Sequence, residues 1–493
     1  MGLTFLYAAA IVAGKLPLEL RGRFLDESFR HASWRSREEL SAHASAPPPS
    51  GEVGYLRGEV ERLRANLAAL QRPPESGPDL AASDPAASRP TLAACTIISR
   101  NYLAHARALA RSFLRHEPGA RFYVLVVDGL PQGALVGEGV RVLDAAELGL
   151  PYLRELIFKY EILELCTALK PALLDHLFRV RGEERLVYLD PDILVFRPLA
   201  ELRPALRTSD IVVTPHFLSP IPLDGRRPTE LPLIATGIYN LGFLALRRSD
   251  VTESFLRWWK ERLRDGCHAR PSLGEFVDQK WVDLAPIFFP TTHVLRDETY
   301  NVAYWNLHAN TIEKKAGRYF VNGRPIAFFH FSGVDLKARQ FRPSYQDRTV
   351  ARPGSPIAEL LNMYADLLEE NGLSTCSGWE YPFSRFDNGV AYSAVFRDLY
   401  ASLDPKEKER FGDILQTRRP DSFFEWALTP DPRTGNLSPL LMYLYRLRRD
   451  VSAAYPDVLG KDREGFLTWA RTSGAREMGY EPAEIRIAGA AAG

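Results

Sequence analysis

The chain has 493 residues, of which 46% are hydrophobic and 25% charged, and its formal net charge is +1. That length exceeds one compact core, so more than one domain is expected. The near-neutral balance excludes the global basic field with which nucleic-acid-binding proteins gather their ligand. The four cysteines (Cys95, Cys166, Cys267 and Cys376) lie far apart, outside any CxxC or Cys/His spacing. That excludes a disulfide framework, gives no zinc signature and fits a reducing, cytoplasmic setting.

Residues 1–47 open with the apolar run LTFLYAAAIVAG at 3–14. The run is shorter than the roughly 20 residues that span a bilayer. No basic stretch precedes it as in a signal peptide. It reads either as a small docked helix or as a peripheral contact at the inner face of the cell membrane. A breaker, APPPSG, follows at 46–51; then Val53, Leu56, Val60, Leu63, Leu67 and Leu70 recur at heptad spacing. This predicts a short coiled coil over 48–72. Two uses are open to it: homo-oligomerisation through 53–70, or packing on its own domain. Residues 73–91, rich in Pro, Ser, Ala and Asp without an apolar period, read as a flexible linker.

From residue 92 the pattern changes. LAACTIIS (92–99), RFYVLVVDG (121–129), VRVLDA (140–145) and RLVYLD (185–190) are strand candidates, with helical periodicity between them, including a helical stretch over 155–179. TGIYNLGFLALRR (236–248) predicts a further strand, and the next residues, 249–265, a helix capped by Ser249. Near-continuous apolar strands alternating with helices predict an open α/β sheet covered on both faces, with its ligand beyond the carboxyl ends of the strands. Residues 92–349 form this domain, and 350–493 are expected to be mainly α-helical.

The apolar run LVYLDPDILVF holds Asp190 and Asp192, the single Asp-x-Asp pair of the chain. Buried carboxylates are costly unless paired or bound to a metal. In an extended segment, residues i and i+2 point the same way and can share a divalent cation that keeps positions open for phosphate oxygens. A solvated Asp-Pro turn is the plainer alternative. AFFHFSGVDLK (327–337) supplies His330, Gly333 and Lys337. The imidazole reads as a metal ligand or as a packed core histidine, the glycine as a close approach to a ligand, the lysine as a phosphate contact. FVDQKWVDL carries Asp278 and Gln279, either site residues or a helix cap. RNYLAH puts Asn101 and Tyr102 at the turn from the first strand into its helix, where they could hold a base.

In this order the motifs resemble the retaining glycosyltransferases of family 8, which have the GT-A fold (the bacterial galactosyltransferase and glycogenin type). The resemblance spans roughly residues 92 to 340. The family's YLDxDxLV motif is matched at Tyr188–Val195, its Asn-x-Gly strand at Asn240–Gly242, its Asp-Gln pair at Asp278–Gln279, and its His-x-x-Gly motif at His330 and Gly333. A more distant likeness is to bacterial envelope-polysaccharide enzymes with a helical extension. The chain departs from family 8 in having Ser99 and Arg100 before Asn101, Lys337 one residue late, and only Lys170 as a cation in the stretch LCTALKP where the family has an arginine.

The resemblance implies a GT-A (Rossmann-like) nucleotide-diphospho-sugar transferase sheet. It also implies Mn²⁺ or Mg²⁺ on Asp190, Asp192 and His330, and a UDP-sugar donor contacted by Asn101, Tyr102, Lys170, Gly242, Gly333 and Lys337. Asn240, Asp278 and Gln279 would face the transferred sugar. The acceptor would be a glycan, lipid-linked or protein acceptor, met by the proline-rich loop 215–236 and the C-terminal helices, and Arg226 and Arg227 of that loop suggest an anionic or lipid-diphosphate acceptor. The competing readings are a nucleotidyltransferase, against which the glycine-free RNYLAHARALARS argues, and a non-catalytic scaffold.

Overall fold

The computed structural model describes residues 92–480 apart from Leu135. The N-terminal apolar segment, the coiled coil and the linker lie outside the described residues. A seven-stranded sheet forms the centre: β1 (Ala93–Ile98), β2 (Phe122–Val126), β3 (Val140–Asp144), β4 (Arg185–Leu189), β6 (Ile211–Pro215), β7 (Tyr239–Arg247) and β8 (Thr292–Val294). Their order across the sheet is β8-β6-β7-β4-β1-β2-β3. Every pairing is parallel except the two made by β7, which runs antiparallel to both β4 and β6. This mostly parallel sheet with one reversed strand is an open, Rossmann-like α/β sheet. Two strands outside it, β5 (Ile193–Val195) and β9 (Phe328–His330), pair antiparallel with each other.

Side-chain alternation explains why the strands are apolar throughout. In β1, Ala93, Cys95 and Ile97 enter one core cluster, and Ala94 and Ile98 the other. Helix α1 (Leu103–His116) covers one face; α2 (Lys170–Arg179) and α3 (Asp250–Leu263) cover the other. All described residues fall within the single compact unit Ala87–Gly493. No helix among them is long and apolar enough to cross a membrane.

The expected helical stretch 155–179 is three helices, Leu153–Lys159, Ile162–Ala168 and α2. Glu161 restarts the second through a capping box, and Pro171, which cannot donate within a helix, falls in the first turn of α2. The strand expected from 236 begins at Tyr239, because Glu230–Thr236 is helical and Gly237 ends that helix. What reads as one loop over 215–236 is therefore a loop followed by a short helix. Ser249 caps α3, its Oγ accepting from the Thr252 amide at 3.1 Å. Beyond α4 (Pro356–Glu370) the chain is mainly helical, and Phe386, Phe396 and Phe423 enter the same core cluster as Leu173 of α2.

Candidate functional site

Asp190 follows the last residue of β4. Its amide donates to the Gly242 carbonyl at 2.8 Å, and the Ile193 amide donates back to the Asp190 carbonyl at 3.1 Å. The Asp-x-Asp pair thus sits on a tight turn with Pro191 at its second position, a turn position that proline's fixed φ suits. The extended geometry expected from sequence does not occur. The turn and the metal clip are nevertheless compatible, because β5 continues from the turn and pairs with β9, Ile193 opposite His330. That register, with the Phe331 amide donating to the Asp192 carbonyl at 2.8 Å, sets the imidazole beside both acids. His330 Nε2 lies 3.0 Å from Asp192 Oδ1 and 4.0 Å from Asp190 Oδ2.

One ligand atom from each of Asp190, Asp192 and His330 falls within 4.8 Å of the others. Two carboxylates and an imidazole suit a hard to borderline divalent ion such as Mg²⁺ or Mn²⁺. Gly242 leaves the room this requires. A Cβ there would lie 2.4 Å from His330 Cε1 and 2.9 Å from Asp190 Oδ2, so any side chain would fill the cluster. Burial alone would lower the His330 pKa, but the Asp192 carboxylate outweighs it and holds the imidazole above its ordinary value. Burial likewise opposes ionisation of Asp192, and His330 prevails, pulling that carboxyl below the usual range.

Behind the cluster is a network of buried amides. His330 Nδ1 is 3.2 Å from Asn301 Oδ1, so donation there leaves Nε2 to face the acids. Asn301 adopts a left-handed conformation (φ 54°) and donates from Nδ2 to Thr214 Oγ1 at 3.2 Å and Asn240 Oδ1 at 3.1 Å. Asn240 Oδ1 also accepts from the Gly242 amide at 3.2 Å, and its Nδ2 reaches Gln279 Oε1 and His216 Nε2, both at 3.3 Å. Gln279 Oε1 accepts from the Leu241 amide at 3.0 Å, while its Nε2 donates to the Thr236 carbonyl at 2.9 Å. Both ends of the Gln279 and Asn240 amides are engaged within the protein, which holds their orientation firmly.

Lys170 is the buried cation of the site. Its Nζ donates to the Leu241 carbonyl at 2.9 Å, pairs with Asp278 Oδ2 at 2.9 Å, and lies 3.5 Å from Asp190 Oδ1. It also stands 4.4 Å above the Tyr188 ring, whose hydroxyl donates to Asp190 Oδ1 at 2.9 Å. Burial would neutralise Lys170, but Asp190 and Asp278 together keep it above its ordinary pKa. Asp278 stands at the N-cap of the short helix Gln279–Val282 but makes no capping bond, since its side chain is drawn to Lys170. Burial pushes its pKa up to about 6 against that attraction.

Asn101 and Tyr102 occupy a single 3-10 turn, Arg100–Tyr102, between β1 and α1. Asn101 Oδ1 accepts from Ser99 Oγ at 2.6 Å, and Tyr102 is 43% exposed and stacked on His105 at 4.6 Å. His105 is buried, its Nδ1 has no hydrogen-bond partner among the described residues, and burial drops its pKa to about 4. The Asp192 carboxylate is near enough to act electrostatically on both rings. Arg100, a departure from the resembling family, is tied to Asp128: its amide donates to Oδ1 at 2.7 Å and its Nε lies 3.3 Å from Oδ2. Gly333 takes a left-handed turn (φ 70°), where a Cβ would lie 3.3 Å from the Tyr304 and Tyr345 rings. Lys337 is exposed on the following turn, where its amide donates to Asp335 Oδ1 at 3.0 Å.

Asp190, Asp192, His330, Gly242, Asn240, Asp278, Gln279 and Lys170 thus converge, and Asp192 is near enough to act on the Tyr102 hydroxyl. Sequence reasoning missed Asn301, His216, Thr214, His105 and Asp128. Asp128 and His216 each stand just past a strand end, which is a usable signal. Asn301 and His105 offer none.

No family model matches the chain. Among curated proteins it is similar to the uncharacterised protein YfnF of Bacillus subtilis (strain 168), at 29% identity over 258 residues, half of this chain and 82% of that one. It is also similar to YfnD of the same organism, at 26% over 247 residues, 49% of this chain and 77% of that one. Among solved structures it is similar to the galactosyltransferase LgtC in complex with donor and acceptor sugar analogues, at 16% identity and a TM-score of 0.34, covering 56% of this chain and 95% of that one. Mouse xyloside xylosyltransferase 1 is similar at 16% identity and a TM-score of 0.30, covering 49% of this chain and 97% of that one.

Proposed function

We propose that this chain is a metal-dependent glycosyltransferase that moves a sugar from a nucleotide-diphosphate donor, a UDP-sugar, to an acceptor hydroxyl with retention at the anomeric carbon. The observation that carries this reading is the convergence of Asp190, Asp192 and His330 at the carboxyl ends of the strands, on a turn directly after β4. That is where open α/β sheets bind their ligands.

Asp190, Asp192 and His330 would hold Mn²⁺ or Mg²⁺, which when bound supplies Lewis acidity to a departing diphosphate. Tyr102, exposed on its turn, offers a face on which a base stacks, and Asn101 a polar group for the nucleoside. Lys170, anchored by Asp278 and the Leu241 carbonyl, holds Asp190 in place. Gln279 and Asn240 fix the β7 backbone at Leu241–Gly242 against the cluster. Asp278, 1% exposed and paired with Lys170, is poorly disposed as a nucleophile. Same-face attack by the acceptor is therefore the route to retention. Because the acids are rigidly placed before any ligand arrives, their stabilisation of developing charge needs little reorganisation.

The test is nucleoside-diphosphate release from a panel of sugar nucleotides with Mn²⁺. Release from one donor, reduced on the order of a thousandfold in Asp192→Ala, is expected. Absence of release with every donor, together with no thermal stabilisation by nucleotide plus metal, would overturn the proposal.

A further inference from the structure

The chain between β6 and β7 leaves and returns at the site. The His216 amide donates to the Ile238 carbonyl at 3.1 Å, and Gln279 holds the Thr236 carbonyl. Its outer part is fastened to residues 345–352. The Arg227 amide donates to Asp347 Oδ1 at 2.7 Å, and Arg348 donates from Nη2 to the carbonyls of Pro222 and Arg226, both at 2.9 Å. Arg348 also pairs with Asp224 at 2.5 Å. Between the two segments lies an open cavity of about 650 Å³, lined by Arg226, Asp347, Arg348, Thr349, Val350 and Arg352.

Arg348 is consumed by the loop, and Asp347 by Arg227, whose Nε lies 3.5 Å from it. The guanidinium groups of Arg226 and Arg352 have no acceptor among the described residues. Beside these two cations the same loop presents apolar side chains to solvent: Leu223 is 95% exposed, Leu231 77% and Ile234 46%. Leu231 and Ile234 are one turn apart on the helix Glu230–Thr236, so they share a face. Single exposed leucines are ordinary; several on one loop flanked by unneutralised arginines fit an interface with an apolar interior and an anionic surface.

We propose that this loop docks a phosphate-bearing lipid at a bilayer surface, with Arg226 and Arg352 on the phosphate and Leu223, Leu231 and Ile234 in the acyl layer. Both roots of the loop touch the site, at the Ile238 and Thr236 carbonyls. Under the glycosyltransferase reading, on which this step rests, that lipid carries the acceptor.

The test uses the full chain with phosphatidylcholine vesicles, with and without phosphatidic acid, and needs no donor. Co-sedimentation only with the anionic vesicles is expected, weakened at least tenfold in Arg226→Glu/Arg352→Glu and in Leu223→Ser/Leu231→Ser. Leu223→Ser alone, at a side chain with almost no packing to lose, is the control for misfolding and should weaken binding on its own. Several outcomes overturn the proposal: no vesicle binding, equal binding by all variants (which assigns it elsewhere, the apolar segment 3–14 included), inorganic phosphate as the sole ligand, or a dimer lost in the leucine variants. Nucleotide and metal binding, measured separately by thermal shift, shows whether the glycosyltransferase reading fails independently.

Discussion

Two interiors of this molecule are built on opposite principles. Around Phe158 the helical C-terminal part packs aromatic on aromatic: Phe386, Tyr392, Tyr400 and Phe423 all lie within 5.0–5.8 Å of that ring. Around Asn240 the interior is polar. Asn301, Gln279, His216, Lys170 and Asp278 are each buried and each matched to named partners. Apolar contacts are non-directional and partly interchangeable, whereas a buried donor or acceptor that loses its partner bears its full desolvation cost. The first interior tolerates change and stabilises the fold. The second gives specific orientation to the groups at its surface, and the candidate site is that surface.

The sharpest break in this comparison should come from Gly242→Ala. Its Cβ cannot fit beside His330 and Asp190, so the cluster must shift, and a displacement near 1 Å should cost activity about a hundredfold. Loss of metal-dependent nucleotide binding in a thermal-shift titration checks it.

Lys170→Met should cost about 3–5 kcal/mol in urea unfolding, because it leaves Asp278 buried without its cation. Adding Asp278→Asn should return part of that loss. A double variant no more stable than Lys170→Met would mean that the pair is not coupled.

His216 tests the polar interior through pH. Burial drops its pKa to about 4, so between that value and the ordinary 6.5 the unfolded chain holds a proton that the folded one does not. Stability therefore rises with pH across that window and is lost on acidification, by on the order of 3 kcal/mol from this group. His105, shifted in the same direction, adds to the fall. His216→Gln should flatten the profile measurably between pH 6.5 and 4.

The smallest effect belongs to the aromatic interior. Phe396→Leu should cost about 1.5 kcal/mol or less and leave activity unchanged. A change in donor turnover would show that the helical region acts on the site.

Much of the sheet is legible in the chain, since β1, β2, β4 and β7 are apolar runs whose alternation shows up as burial on both faces. Asp190, Asp192, His330, Asn240 and Gln279 are legible because short motifs carry them. The loop 215–236 is misread because proline and arginine dominate it, while the helix Glu230–Thr236 is too short to show a period. Asn301 is invisible for a different reason. Its left-handed backbone and its three amide contacts depend on Thr214, Asn240 and His330, which are distant in sequence.

By itself, the sequence determined which residues are apolar, where strands and helices alternate, and which carboxylates and imidazole are available. Those are local properties, set by side-chain chemistry and periodicity. Only the tertiary structure decided that the two acids sit on a tight turn, that β9 lays His330 beside them, and that Lys170 spans Asp190 and Asp278. These depend on strand register and on burial, which arise when segments more than a hundred residues apart come together and each buried charge must find a partner.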